Sequence, residues 1–426
     1  MLDLKSLRED PDEAKAALAT RDPSLGTALD NILALDSQRR TIIQTVEAKK
    51  AERNSASEEV ARRKKKGEDA EGLLAGLKTL SSAIKELDEE MRVVEGSLRE
   101  ALLRIPNIPM DDVPRGDASN NTVVRSWGEL PTFAFEPLPH WELGERLGLF
   151  DLPRGAKVSG SGFPIFTGPG ARLVRGLVSF MLDLHTREHG YVELAPPVLV
   201  NEASALGTGQ LPDLESQMYV TGDGLYLIPT AEVPVTNFHR DDVLQADDLP
   251  IGYAAYSPCF RREAGAHGKD TRGITRVHQF DKVELVRFCE PSASAEEHER
   301  LLGHAEMVMQ RLGLPYRIVA LATGDLGFAS AKTYDVELWA AGAGAWLEVS
   351  SASTFTDFQA RRANIRYRPT DGGKVTFVHT LNASGVALPR TIIGLLENNQ
   401  RDDGSVSIPA VLVPYVGMDR LTPVRG

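Results

Sequence analysis

Cysteine is nearly absent from this chain: Cys259 and Cys289 are the only two in 426 residues, and neither stands at a metal-ligand or redox spacing. That argues against a disulfide framework or a zinc site and suits a reducing compartment. No apolar run reaches the length of a membrane-spanning helix. The opening residues Met1-Leu2-Asp3-Leu4-Lys5 lack the basic-then-apolar pattern of a secretory signal. A cytoplasmic protein with no membrane partner is the expectation. Internal repeats and low-complexity blocks are also missing. Hydrophobic content of 42% and charged content of 25% are ordinary for a globular chain, and the length leaves room for two to three domains.

The net charge of −12 hides a local asymmetry. Between Arg39 and Lys66 there are ten basic and four acidic residues, and between Glu68 and Ala101 nine acidic and four basic. Local fields recruit polyanions, so the total decides little. The second stretch also carries the cleanest periodicity. Leu73, Leu77, Leu80, Ile84, Leu87, Met91, Val94, Leu98 and Ala101 alternate gaps of four and three, which is a heptad seam. A weaker seam precedes it: Ile32, Leu35, Arg39, Ile42, Val46, Lys49, Arg53, Ala56 and Val60, whose three basic members have stems that can still pack. Between the seams, Arg62-Arg63-Lys64-Lys65-Lys66-Gly67 ends in a residue suited to chain reversal. Two helices folding back as an antiparallel arm over about residues 28–103, with a basic tip near 62–69, follow. An arm of some thirty residues a side reaches about 45 Å. Alone, the basic run is a solvated turn more often than an RNA contact.

Prolines at 106, 109 and 114 with polar residues to Asn121 break helix repeatedly, so 105–125 is expected to be a linker. It separates residues 1–104 from an α+β domain over 126–426. In that domain, Phe260-Arg261-Arg262-Glu263 and Arg276-Val277-His278-Gln279-Phe280 flank a Gly-rich connection and are expected to form a hairpin. Strand alternation puts Arg261 and Glu263 on one face, and Arg276, His278, Phe280 and Glu284 on one face of the second strand. Guanidinium groups, carboxylates and a ring on one surface suit a nucleoside triphosphate. Four further segments belong beside it. A helix with Leu173, Leu177, Phe180, Met181 and Leu184 leads to a strand and Pro196-Pro197. A strand ends in Thr230-Ala231-Glu232. Glu348-Val349-Ser350-Ser351 places Glu348 and Ser350 on one strand face, so that Ser351 reaches a ligand only from a turn or strand end. Asn382-Ala383-Ser384-Gly385 precedes a helix opening near Pro389-Arg390, whose arginine can face a triphosphate. Each has a bland reading alone: Thr-Ala-Glu as a helix cap, Glu348 as an arginine's partner, Asn382 as a turn anchor.

Their order resembles the class II aminoacyl-tRNA synthetases, with the helix–strand–proline as motif 1, Phe-Arg-x-Glu…Arg…Phe as motif 2 and the arginine opening a helix as motif 3. Within that class, Thr-Ala-Glu at 230–232, Arg-Arg-Glu-Ala-Gly at 261–265, Thr-Arg-Gly…Arg-Val-His-Gln-Phe-Asp-Lys-Val-Glu at 271–284, Asp-Phe-Gln-Ala-Arg-Arg at 357–362 and His-Thr-Leu-Asn at 379–382 resemble the seryl-tRNA synthetase family. The opening residues and the long arm also fit, so the resemblance covers nearly the whole chain. Departures are few: Pro389 where that family often has glycine, Arg262 for serine or threonine, Leu347 for a basic residue and Ala352 for cysteine.

The resemblance implies activation of L-serine by ATP and transfer to serine tRNA, with selenocysteine tRNA as a further candidate acceptor. It implies catalytic roles for Arg261, Arg276 and Arg390. ATP binding falls to Arg261, Arg262, Glu263, Val277, Phe280, Glu348, Val349, Ser350, Ser351 and Arg390, with Mg²⁺ held by Glu348 and Ser351 and no zinc. Serine binding falls to Thr230, Ala231, Glu232, Arg261, Glu284, Asn382 and Ser384. On the arm, Arg39, Arg40, Lys49, Arg53, Arg62, Arg63, Lys64, Lys65 and Lys66 are candidates for contact with the long variable arm of the tRNA. A homodimer through motif 1 is expected. Three rivals stand beside this: a paralogue charging a carrier protein, an adaptor built on the coiled coil, and an inactive or regulatory homologue.

Overall fold

The computed structural model describes residues 1–264 and 272–424. They divide into a helical unit, Leu2–Pro106, and a larger unit that runs from Asn107 and takes in Met1.

In the helical unit, short helices Leu4–Glu9 and Pro11–Ala19 precede α1 (Leu25–Lys66) and α2 (Glu71–Arg104). The Asp10 carboxylate caps the second short helix by accepting from the Glu13 N–H at 3.2 Å. Gly67 ends α1 in the left-handed region at φ 74°, its N–H directed to the Arg63 and Lys64 carbonyls. Every residue of both heptad seams is buried or half-buried. Ile42, Val46 and Val94 pack together with Leu87 and Met91. The seam's basic members obey the same geometry: half-buried Arg39 lays its stem in the seam and donates to Glu95 at 3.1 Å. The coiled coil is therefore present, and at 42 and 34 residues its helices run about 60 and 50 Å, longer than the seams alone require.

The larger unit is built on an eight-stranded sheet: β1 (Thr122–Trp127), β2 (Val192–Leu194), β3 (Ile251–Phe260), β4 (Gln279–Cys289), β5 (Tyr316–Ala320), β6 (Lys332–Ala340), β7 (Ala345–Thr354) and β8 (His379–Ala387). Their order in space is β1-β5-β6-β7-β8-β4-β3-β2. Pairing is antiparallel throughout except at the edge, where β2 runs parallel to β3. Five helices frame the site: α3 (Gly168–Arg187), α4 (Glu232–Asn237), α5 (Ser294–Leu312), α6 (Phe358–Ala363) and α7 (Leu388–Asn398).

Alternation along the central strands separates two faces. Val283 and Leu285 of β4, Val336 and Leu338 of β6, and Leu381 and Ala383 of β8 join the apolar faces of α3, α5 and α7 in the main core. The residues between them point the other way. Val286 and Phe288, farther along β4, meet Ala231, Val235, Ala360 and Ala363 in a second core that closes the opposite face at one end. The rest of that face is polar, and it carries the site.

The segment expected to be a linker is no free tether from Asn107 onward. The Asn107 and Met110 N–H groups donate to the Phe328 and Ala331 carbonyls at 3.0 and 2.9 Å. Val113 packs with Val319, Leu321 and Leu326, and β1 already begins at Thr122. The prolines that forbid helix keep the chain extended, and an extended chain can dock along a neighbouring surface.

Candidate functional site

The polar face of β4, β7 and β8 floors a cavity of about 570 Å³. A smaller chamber of about 160 Å³ adjoins it and shares Arg261, Glu263, Arg276, Lys282, Glu348 and Ser384 with it. One end of this continuous space is acidic and buried, and the other carries arginines around a phenylalanine ring.

At the acidic end, Glu232, Glu284 and Lys282 are all buried, none more than 6% exposed. Lys282 forms an ion pair with Glu284 and donates to the Thr230 hydroxyl at 2.9 Å. Asn382 donates to Glu284 at 3.1 Å from the neighbouring strand. Thr230 also accepts from the Glu232 N–H at 3.2 Å, but α4 is entered at Ala231 without a side-chain cap, so the helix-cap reading of Thr-Ala-Glu does not hold. Burial, then the neighbouring Glu284 carboxylate, push Glu232 up to about 7, against the hydrogen bond from Gln359 and the charges of Lys282 and Arg261. Burial raises Glu284 as well, opposed by Lys282.

At the cationic end, the Arg261 guanidinium lies 5.1 Å from the Phe280 ring centroid, and its Nε donates to the Pro229 carbonyl at 3.4 Å. Arg276 pairs with Glu263 at 3.4 Å. Arg390, in the first turn of α7, donates to the Glu348 carbonyl at 2.7 Å and lies 3.4 Å from its carboxylate. Val277, Phe280, Val349 and Pro389 complete the smaller chamber.

Several of these residues arrive by routes that alternation does not supply. β3 ends at Phe260 and β4 begins at Gln279, so Arg261, Glu263, Arg276 and His278 stand on irregular backbone rather than on strand faces. Glu263 has φ 46°, and the Arg262 N–H turns away to the Gln217 carbonyl at 2.9 Å. Arg261, Glu263 and Arg276 still line the cavity. His278 leaves it: its ring stacks at a tilt on Phe163, 5.2 Å between centroids, and Nδ1 donates to the Arg261 carbonyl at 3.0 Å. Gly265 and Thr271 of the expected motif lie outside the described residues.

A β-bulge corrects the third segment. Val336 pairs with Ser350 but Glu337 pairs with Glu348, leaving Val349 unpaired on β7. One extra residue inverts the alternation, so Glu348 and Ser351 share the cavity face and Ser350 does not. Ser350 instead donates to the Ser384 carbonyl at 2.6 Å. A second bulge between Ser384 and Ala387 in β8, with Val386 at φ 111°, precedes the turn into α7. Thr230, Glu232, Glu284, Asn382 and Ser384 thus gather at one cavity, whereas Arg262, Ser350 and Ala231 do not line it. Ala231 belongs to the second core. The sequence reading missed Lys282, although period two from Phe280 to Glu284 passes through it. It also missed Gln359 and Gln217, whose amide grips the Ala264 backbone N–H and carbonyl at 3.0 and 3.1 Å.

On the arm, Arg62 and Arg63 pair with Glu59, and Arg40 with buried Asp36. Lys49 and Arg53 are half-buried in the seam, while Lys64, Lys65 and Lys66 are exposed at the end of α1.

An antiparallel sheet whose polar face gathers arginines from a hairpin and from the first turn of a helix is the core of a class II aminoacyl-tRNA synthetase. Residues 219–399 match the family model described as the tRNA synthetase class II core domain (G, H, P, S and T), and residues 1–109 match the seryl-tRNA synthetase N-terminal domain. A serine–tRNA ligase of Carboxydothermus hydrogenoformans is 53% identical over 423 residues, covering 99% of each chain. The chain belongs to the seryl-tRNA synthetase family. Among solved structures, the seryl-tRNA synthetase of Pyrococcus horikoshii complexed with ATP matches with a TM-score of 0.96 at 40% identity, covering 100% of both chains. The cytoplasmic serine–tRNA ligase of Naegleria fowleri, in complex with AMP, gives 0.88 at 31% identity over 100% of this chain and 99% of that one.

Proposed function

We propose that the chain activates L-serine with ATP and transfers the seryl group to the 3′ end of serine tRNA. The observation that carries this reading is the division of one continuous cavity into a buried acidic end and a cationic, ring-bearing end. The acidic end suits a small amino acid: Glu232 and Glu284 for its ammonium and hydroxyl groups, with Thr230, Asn382 and Ser384 around them. An amino acid lacking the hydroxyl leaves such buried partners unpaired, which is a strong basis for rejection. At the other end, Phe280 stacks on adenine, Glu263 accepts from its amino group, and Val277 and Val349 line the base. Arg261 meets the α-phosphate, Arg390 the γ-phosphate, and Arg276 adds charge near the reacting centre. Each arginine rests on an internal acceptor here, and phosphate oxygens would replace those contacts with charge-assisted ones.

The donor set fits Mg²⁺. Glu348 and Ser351 offer hard oxygens on one face, and the rest of the coordination sphere would come from phosphates and water. Among the described residues, no group of three His, Cys, Asp or Glu is placed to hold a metal ion unaided. When bound with ATP, the ion neutralises charge on the triphosphate. A serine carboxylate oxygen then bonds to the α-phosphorus as the bond to the β-phosphate oxygen breaks and pyrophosphate leaves. In the second step a ribose hydroxyl of the tRNA attacks the acyl carbon and AMP departs. Positioning and charge neutralisation supply the catalysis.

In this reading the arm contacts the RNA backbone, with exposed Lys64, Lys65 and Lys66 the foremost residues at its tip. The protein is a homodimer, for which the edge position of β2 and the exposure of its Val192 offer a pairing face. A cytoplasmic location goes with the same reading, and among the described residues no helix is long and apolar enough to cross a membrane.

The test is amino-acid-dependent ATP–pyrophosphate exchange across all twenty amino acids, with Arg261→Ala as control. Exchange with serine alone, lost in the variant, supports the reading. Exchange with another amino acid overturns the pocket assignment, and no exchange moves an inactive or regulatory homologue to first place. Serine and selenocysteine tRNA transcripts are then compared as acceptors.

A further inference from the structure

We propose that Gln359 is a positioning residue for serine recognition, its side-chain amide holding the Glu232 carboxylate in orientation and charge for the amino acid. The inference rests on the serine reading of the acidic end.

Gln359 is fully buried on α6 and does not itself line the cavity. Its Nε2 donates to Glu232 Oε1 at 2.5 Å and to the Thr208 carbonyl at 3.2 Å. Its Oε1 accepts from the Thr380 hydroxyl at 2.8 Å. The Thr208 carbonyl fixes which way the amide points, because it can only accept and so must face the amide nitrogen, which leaves the oxygen for the Thr380 hydroxyl. One side chain therefore ties α4, the segment at Thr208 and strand β8, three of the elements around the acidic end. No other residue type of this size offers one acceptor and two donors: glutamate has at most a single donor and none when ionised, and methionine has no donor and only a weak acceptor.

The donated bond has a consequence beyond orientation. Glu232 faces Glu284 and Lys282 from β4, and Arg261 from the end of β3. Burial and Glu284 favour its neutral form, while Gln359, Lys282 and Arg261 favour the carboxylate. The other charged groups of α6 are engaged elsewhere, Arg361 with Asp357 at 2.7 Å and Arg362 with the Leu206 and Leu211 carbonyls at 3.2 and 3.1 Å. Removing the amide donors leaves Glu232 more easily protonated, and a neutral carboxyl is a poor partner for an ammonium group.

The experiment measures serine-dependent exchange for the full chain, Gln359→Met and Thr380→Val between pH 5.5 and 9. Gln359→Met should raise the KM for serine about tenfold or more, the worth of one charge-assisted bond. It should leave the KM for ATP within about twofold and move the acid limb of kcat/KM for serine upward by about one pH unit. Thr380→Val, which removes one of the amide's anchors but keeps Gln359, should shift the same quantities less, and it tests the idea even if the first variant folds poorly. Equal rises in both KM values with an unmoved acid limb mean a merely structural role and overturn the inference. An unmoved serine KM in both variants does the same while leaving the serine reading intact. Absence of serine-dependent exchange in the unmodified chain overturns the serine reading and this inference together.

Discussion

Replacing Glu232 with glutamine should stabilise the protein above neutral pH while abolishing serine activation. The Glu232 carboxyl titrates at about 7 in the folded chain against 4.5 for an ordinary glutamate. Because the folded form holds this proton more tightly, unfolding free energy falls as pH rises from about 4.5 to about 7 and stays low above that window. At 1.36 kcal/mol per pH unit, the ionised group weakens the fold by about 3 kcal/mol in mild alkali. A neutral glutamine carries no such burden and keeps an oxygen to accept from Gln359. The variant should therefore match the parent near pH 5 and exceed it by up to about 3 kcal/mol at pH 8. For a cooperative unit of some three hundred residues, 1 kcal/mol corresponds to about 1.5 °C, so the melting temperature should rise about 4–5 °C. Thermal unfolding followed by circular dichroism from pH 5 to 8.5, with serine-dependent exchange in parallel, measures both effects. Glu284 is raised in the same direction, so some pH slope should remain in the variant. A variant less stable than the parent at pH 8, or a difference independent of pH, would refute the reasoning.

Other perturbations separate the remaining roles. Lys282→Met strips Glu284 of its buried partner and should cost about 3–5 kcal/mol in urea unfolding, with a raised KM for serine. An unchanged urea midpoint would mean the pair carries no weight. Ser351→Ala should raise the Mg²⁺ concentration for half-maximal exchange several-fold. Ser350→Ala should leave that unchanged and lose about 1 kcal/mol of stability with its bond to Ser384, so the reverse pattern would show that the bulge is misassigned. Alanine at Lys64, Lys65 and Lys66 together should leave pyrophosphate exchange intact and weaken tRNA binding. The salt dependence of that binding should flatten by about two to three in log–log slope if all three touch phosphates, and an unaltered slope would remove the tip from the interface.

Much of this molecule is legible without coordinates because its signals are local. The heptad seams declare a coiled coil through spacing alone, and Gly67 marks the reversal because few other residues tolerate the left-handed backbone there. The inventory of the hairpin, two arginines with a glutamate and a phenylalanine, announces a nucleotide site by residue type and order. Pro389 and Arg390 start a helix where a first-turn proline is expected. The family likewise follows from motifs that are contiguous in the chain.

What the tertiary structure decided depends on residues far apart in sequence. Alternation assigned Ser350 to the cavity, but pairing of β7 with β6 expels Val349 from the ladder and hands the position to Ser351. Parity along a strand is a local rule that one unpaired residue reverses, and where that residue falls is settled by register with the neighbouring strand. The ends of the hairpin, which leave Arg261 and Arg276 on irregular backbone, depend on the same competition for partners. Lys282 read as one more charge in a motif until Thr230, 52 residues away, came within reach. Gln359 stood in a motif segment without a role, because its meaning lies in a carboxylate 127 residues distant. Periodicity and turn chemistry act over a few residues and can be read from the chain. The satisfaction of buried polar groups is a property of the folded interior, and only the fold says which partners meet.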